Sequence, residues 1–211
     1  MDKNRGSFIA FEGIDGSGKS TQIRRLHERM RDAGIACCTT MEPTASPIGS
    51  LIHQIMTGRI KTDNRVTAAL FVADRLDHLL NDVDGILHQI DAGVTVLTDR
   101  YYLSSYAYQS VDIPMEQVIG ANAQSSAILR PSINIFIDIS PDTAMERIQK
   151  NRSHRELFEK KSRLVQVREK YLEAFDRLKD VEKIAVIDGE RDEQAVADDI
   201  WDVVREYVHA R

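Results

Sequence analysis

The 211-residue chain has only two cysteines, and they are neighbours, Cys37 and Cys38. Adjacent residues on a strand point to opposite faces and cannot readily bridge each other. Neither has a second pair at metal-ligand spacing, so a disulfide framework and a cysteine-held metal are both excluded. The six histidines also lack metal-binding spacing. No uninterrupted apolar run is longer than a strand, which excludes a bilayer-spanning segment. The first five residues lead into a short strand instead of the apolar core of a signal peptide, so the expected location is the cytoplasm. Solenoid-length repeats and low-complexity tracts are missing. Excess positive charge is missing too: the net charge of −5 argues against a general nucleic-acid binder.

What remains is a chain of ordinary apolar content, long enough to hide roughly 70% of its unfolded surface in one domain spanning 1–211. Strand-like and helix-like segments alternate along it. Residues 7–12 (SFIAFE) read as a first strand, and 21–33 as a helix with Ile23, Leu26 and Met30 on one face, stopped by Gly34. Further strands are expected at 35–40, 94–99, 133–139 and 184–188. Helices are expected at 48–56, at 66–91 with Asn64 as cap, and after Ser140-Pro141, where serine caps and proline opens the first turn. Two more are expected, one ending near Leu178 and one over 193–209. Such alternation predicts an α/β fold with a parallel sheet and helices on both faces. Ligands of such sheets gather at the carboxyl ends of the strands. Between Met145 and Lys170 stand nine Lys/Arg against four Asp/Glu. This basic stretch is either a solvated helix face or a dock for a polyanion such as ATP.

The run Gly13-Ile14-Asp15-Gly16-Ser17-Gly18-Lys19-Ser20, followed by Thr21, matches G-x-x-x-x-G-K-[ST] at every fixed position. Glycines permit the tight turn that points successive N–H groups at phosphate oxygens, and the helix that follows adds its positive end. Lys19 suits the β- and γ-phosphates of ATP, and the Ser20 hydroxyl suits Mg²⁺. Because the motif lies between an expected strand and an expected helix, it predicts nucleoside triphosphate binding.

The phosphate acceptor is less plain. Asp99-Arg100-Tyr101 ends the third strand, with Ser104, Ser105, Tyr108 and Gln109 following. Asp99 is placed to hold Mg²⁺ or its waters, and Arg100 to bridge two phosphates. The same pair also reads as an ion pair that ties a loop down. Phe71 and Arg75, four apart on a helix, suit a stacked base with a guanidinium at its edge. A core Phe beside a solvated Arg is the alternative. His78 joins that face either as pocket lining or as a surface histidine. Glu42-Pro43 lies in the loop after the second strand.

Together FEGIDGSGKSTQ, EPTASPIG, FVADRLDH, TDRYYLSSYAYQ and the stretch over 158–172 resemble the thymidylate kinase family across nearly the whole chain. DRYxxSSxAYQ is the most specific of these segments. The resemblance implies a P-loop NTPase fold with a five-stranded parallel sheet of order 2-3-1-4-5, a homodimer, and ATP, Mg²⁺ and dTMP as donor, cofactor and acceptor. It also implies roles for individual residues. Phe71 would stack on thymine, Arg75 would bond the base, Pro43 would pack near the 5-methyl group and Ser105 near the base edge. Tyr108 would lie beneath the sugar, Asp15 would face it, and Arg100 would bridge phosphates, with Glu42, Ser104 and Gln109 in the same acceptor site. Two departures stand out. Met41 occupies a position where many members have Arg, and Gly16 one where some carry Arg. Members lacking the latter place catalytic arginine in a mobile lid, expected here at about 149–158 with Arg152 and Arg155. Kinases for other monophosphates or for deoxynucleosides, and a regulatory P-loop ATPase, are the competing readings.

Overall fold

A computed structural model describes residues 5–148 and 154–208, the side chains of 154–159 excepted. Of the expected lid at 149–158, residues 149–153 with Arg152 and the side chains of 154–158, that of Arg155 included, therefore lie outside what is described.

The order of elements is β1 (Phe8–Glu12), α1 (Lys19–Asp32), β2 (Cys37–Met41), α2 (Pro47–Met56), α3 (Asn64–Leu80), α4 (Ile86–Asp91), β3 (Thr95–Asp99), α5 (Tyr102–Tyr108), α6 (Met115–Ile128), β4 (Ile133–Asp138), α7 (Pro141–Ile148), α8 (His154–Leu178), β5 (Ile184–Asp188) and α9 (Glu193–Val204). All strand pairings are parallel, in the order β2-β3-β1-β4-β5. Central β1 has every residue buried, as a strand covered on both faces requires. Phe8 and Ala10 feed one core with Phe136, Tyr102, Val167 and Tyr171. Ile9 and Phe11 feed the other with Leu97, Ile135, Met30 and Ile200. Cys38 packs on the first core and Cys37 on the second, both as free thiols, so their opposite orientation is borne out. Among the described residues no helix is long and apolar enough to cross a membrane.

Three local expectations are corrected. The helix expected at 66–91 is two, α3 and α4, because Asn81 leaves helical geometry (φ −58°, ψ 126°) and its Oδ1 accepts from Val83 N at 2.9 Å. That Asx-type turn competes with the helix for its own backbone. The cap of α3 is Asp63, which accepts from Arg65 N at 2.8 Å, instead of Asn64. The last helix stops at Val204 instead of residue 209. Helices α5 and α6 were not expected at all. In α5, residues Tyr102 to Ala107 are buried all round, leaving no stripe, and α6 turns Asn122 and Ser125 inward, so its apolar periodicity is blurred.

Candidate active site

The site lies at the carboxyl ends of β1, β2 and β3. Gly13, Gly16 and Gly18 have φ of 146°, 85° and 93°, a region closed to most side chains. At Gly16 a Cβ would also stand 2.9 Å from Ala144 O and 3.1 Å from Ile148 Cγ1. The loop is packed against α7 there, and a side chain at this position would displace one or the other.

Lys19 at the start of α1 is buried, with Nζ 3.2 Å from Gly13 O, 3.3 Å from Ile14 O and 3.5 Å from Ser17 Oγ. Burial first, then the charge of Arg100, pull its pKa down to about 8 against the opposing pull of Asp99, Asp15 and Glu12. Ser20 Oγ donates to Asp99 Oδ2 at 2.7 Å. A hydroxyl beside a carboxylate is a hard-oxygen pair of the kind Mg²⁺ takes when phosphates and waters complete its shell. These two residues fit that ion.

Arg100 has φ 76°, an uncommon conformation for a non-glycine residue. Its guanidinium donates to Asp15 Oδ1 at 2.7 Å, Tyr108 OH at 3.0 Å, Gly13 O at 3.1 Å and Ser104 Oγ at 3.1 Å. It also lies 4.7 Å from the centre of the Tyr108 ring. Asp15 is thereby held below the usual carboxylate range: burial acts to raise it, and Arg100 and then Lys19 overcome that. The expected alternative of a loop-tying Asp99–Arg100 pair is replaced by an Asp15–Arg100 pair.

Behind Arg100 stands Glu12, at the carboxyl end of β1 where the sequence places ligands, though it assigns Glu12 no role. It is wholly buried and accepts from Tyr101 N at 3.0 Å, Ser104 Oγ at 2.5 Å and Tyr171 OH at 2.9 Å. Burial raises its pKa in spite of those bonds. The available signal was a lone carboxylate ending an otherwise apolar strand.

A cavity of about 210 Å³ opens beside these groups. All ten substrate-side residues expected from the sequence, from Asp15 to Gln109, line it. Phe71 is half-buried on α3, and Asp74 on the same helix holds the loop after β2 through Thr44 N (2.8 Å) and Thr44 Oγ1 (2.6 Å). Pro43, in the loop so held, lines the cavity together with Phe71. Arg75 is 1% exposed, so the solvated alternative is gone. Ser105 Oγ accepts from its Nη2 at 3.1 Å. His78 is neither pocket lining nor surface: it is buried against Glu42 and Thr40. Arg163 of α8 also lines the cavity, paired with Asp112 at 2.8 Å, and carried no sequence signal beyond the basic stretch. Met41 is 59% exposed and borders a separate cleft with Ser20 and Asp99.

On the other side of the phosphate loop, a cavity of about 260 Å³ is lined by Gly18, Thr21, Arg147, Gly189 and Arg191, among others. Arg147 donates to Gly189 O at 3.0 Å, which ties the loop after β5 to α7. The phosphate loop therefore separates two hollows.

Comparison with known proteins agrees with this geometry. The family model for thymidylate kinase matches residues 11–200. A thymidylate kinase of Ligilactobacillus salivarius is 34% identical, over 96% of this chain and 99% of its own length. One of a Geobacillus species is 36% identical, over 89% and 90%. A probable thymidylate kinase of Methanocaldococcus jannaschii is 39% identical, over 79% and 80%.

Proposed function

The chain belongs to the thymidylate kinase family, and from that premise we propose that it transfers the γ-phosphate of ATP to the 5′-phosphate of dTMP. The observation that carries this reading is the position of Arg100. One guanidinium reaches the phosphate loop at Gly13 O and the acceptor cavity at Asp15 and Tyr108. A group there can neutralise charge on both reacting phosphates.

The dTMP phosphate is already anionic at neutral pH, so its oxygen attacks the γ-phosphorus without a general base. That P–O bond forms as the bond to the β-phosphate oxygen breaks, and ADP leaves. Lys19 and Arg100 hold the charge of the transferring group, and closure of the lid over the cavity would keep water from competing. Ser20 and Asp99 would hold Mg²⁺, which supplies further charge neutralisation on the phosphates. Phe71 stacks on the base, with Pro43 near its methyl group, while Tyr108 and Asp15 take the sugar. The hollow beside Thr21 and Arg191 takes the adenine end of ATP. A lid at about 149–158 brings Arg152 or Arg155 to the γ-phosphate, a role worth on the order of 10³-fold in rate.

The whole of 1–211 acts as a single cytoplasmic kinase domain that pairs as a homodimer. Support for pairing comes from exposed apolar side chains on α2 and α3, Met56 (63%) and Val66 (48%) among them. A coupled ADP-release assay with dTMP, dUMP, UMP, CMP, AMP and GMP tests the reaction. Turnover favouring dTMP is expected. Turnover with another monophosphate would refute the thymine reading, and ATP binding without any acceptor-dependent turnover would point to a regulatory ATPase.

A further inference from the structure

We propose that Asn122, on α6, determines base specificity by fixing the direction in which Arg75 points, an inference that rests on the dTMP reading above. A guanidinium has five N–H donors. In Arg75 both Nε and Nη2 reach the same oxygen, Glu42 Oε2, at 2.8 and 2.6 Å. The other oxygen of that carboxylate is engaged by His78 Nδ1 at 3.2 Å, and His78 Nε2 meets Thr40 Oγ1 at 2.7 Å. Glu42 is therefore anchored, yet the guanidinium hangs from a single oxygen. A fork onto two oxygens would lock its plane, and a bond to one oxygen leaves a pivot.

Two contacts on the far side stop that pivot. Ser105 Oγ accepts from Nη2 at 3.1 Å, and Asn122 Oδ1 accepts from Nη1. The amide of Asn122 is itself oriented, because Nδ2 donates to Val118 O one turn earlier in α6, at 2.9 Å. Both Arg75 and Asn122 are 1% exposed, so solvent has no access to replace the contact. Four of the five hydrogens are then committed, and among the described residues one on Nη1 has no partner. Arg75 lines the acceptor cavity and Asn122 does not. Asn122 is thus a positioning residue, acting through Arg75.

A single donor held in one direction donates to a ring carbonyl oxygen, as at position 4 of thymine. It opposes an exocyclic amine, as at position 4 of cytosine, because two donors then face each other in a buried site. Releasing the pivot weakens both the bond and the discrimination.

The test uses the full chain with Asn122→Leu, which fills the space without an acceptor, and Asn122→Gln, which keeps an amide oxygen for Nη1 and an amide donor. Steady-state kinetics are measured with dTMP, dCMP and ATP. Asn122→Leu is expected to raise the dTMP KM by about 10-fold or more, the worth of one bond to a charged group. It is also expected to lower the dTMP-over-dCMP ratio of kcat/KM by about 10-fold. The ATP KM should stay within a few-fold, and Asn122→Gln should keep more of the ratio than Asn122→Leu. An unchanged ratio in Asn122→Leu overturns the proposal, and so does a parallel rise in the ATP KM, which marks a general structural defect. Should Asn122→Leu prove insoluble, Asn122→Ala takes its place with the same two outcomes. Absence of dTMP-dependent turnover in the unsubstituted chain would instead refute the underlying reaction, so the two failures are distinguishable.

Discussion

Replacing Lys19 with Met should make the nucleotide-free protein more stable while abolishing its chemistry. Lys19 is buried at the base of the phosphate loop, and its pKa falls from the ordinary 10.5 to about 8. Each unit is worth about 1.4 kcal/mol, so keeping the lysine charged at neutral pH costs the fold about 3 kcal/mol. Against this, Met gives up the bonds from Nζ to Gly13 O, Ile14 O and Ser17 Oγ, together worth about 1–2 kcal/mol. The net gain is about 1–2 kcal/mol, or a Tm rise of about 2–8 °C in a chain of this length. The sign reverses the usual salt-bridge case. Below pH 8 both folded and unfolded states are protonated and the cost is complete. As pH rises from about 8 to 10.5 the folded state sheds its proton first, so the parent protein gains stability and the advantage of Met fades. Thermal melts of both proteins without nucleotide, at pH 7 and near pH 10, check this. A Lys19→Met protein that melts at or below the parent at pH 7, or a difference indifferent to pH, would refute the reasoning. Such a cost is what a site pre-organised for a polyanion should carry, since ATP supplies the missing counter-charge.

Other perturbations separate the remaining roles. Phe71→Ala should raise the KM for dTMP at least 10-fold more than that for ATP; equal effects on both would make Phe71 a core residue. Asp99→Asn should lower activity at limiting Mg²⁺ and recover in part as Mg²⁺ is raised, and a deficit indifferent to metal concentration would remove Asp99 from the ion. Glu12→Gln should lower kcat about 10-fold with KM little changed, because Ser104 and Tyr171, both bonded to Arg100 and to Glu12, lose a shared acceptor. Since burial raises the pKa of Glu12, its charge penalises the fold above that pKa and the penalty is relieved as pH falls. The Tm of Glu12→Gln relative to the parent should therefore be more favourable at pH 8 than at pH 5, and equal differences would argue against a buried charge. Replacing Arg152 and Arg155 together with Ala should lower kcat by about 10²-fold or more; a kcat within a few-fold of the parent would end the lid assignment.

The chemistry of the phosphate loop was legible before any fold, because its residue types are dictated by local needs. Three glycines must adopt positive φ, and a lysine and a serine must follow them into a helix. The all-buried β1, the apolar face of α1 at Ile23, Leu26 and Met30, and the serine–proline start of α7 are local in the same sense. Local pattern fails where an element is buried on all sides, as in α5, or where a side-chain turn competes with the helix, as at Asn81. The strand order was an expectation from family resemblance, and hydrophobic alternation alone does not contain it. Only the tertiary structure decides the partners of polar groups. Arg75 and Asn122 stand 47 residues apart, and Glu12 and Tyr171 stand 159 apart. Periodicity records which face of an element is buried, but not which distant segment will cover it. A buried polar atom takes its meaning from that segment, because leaving it unpaired costs more than most single contacts contribute.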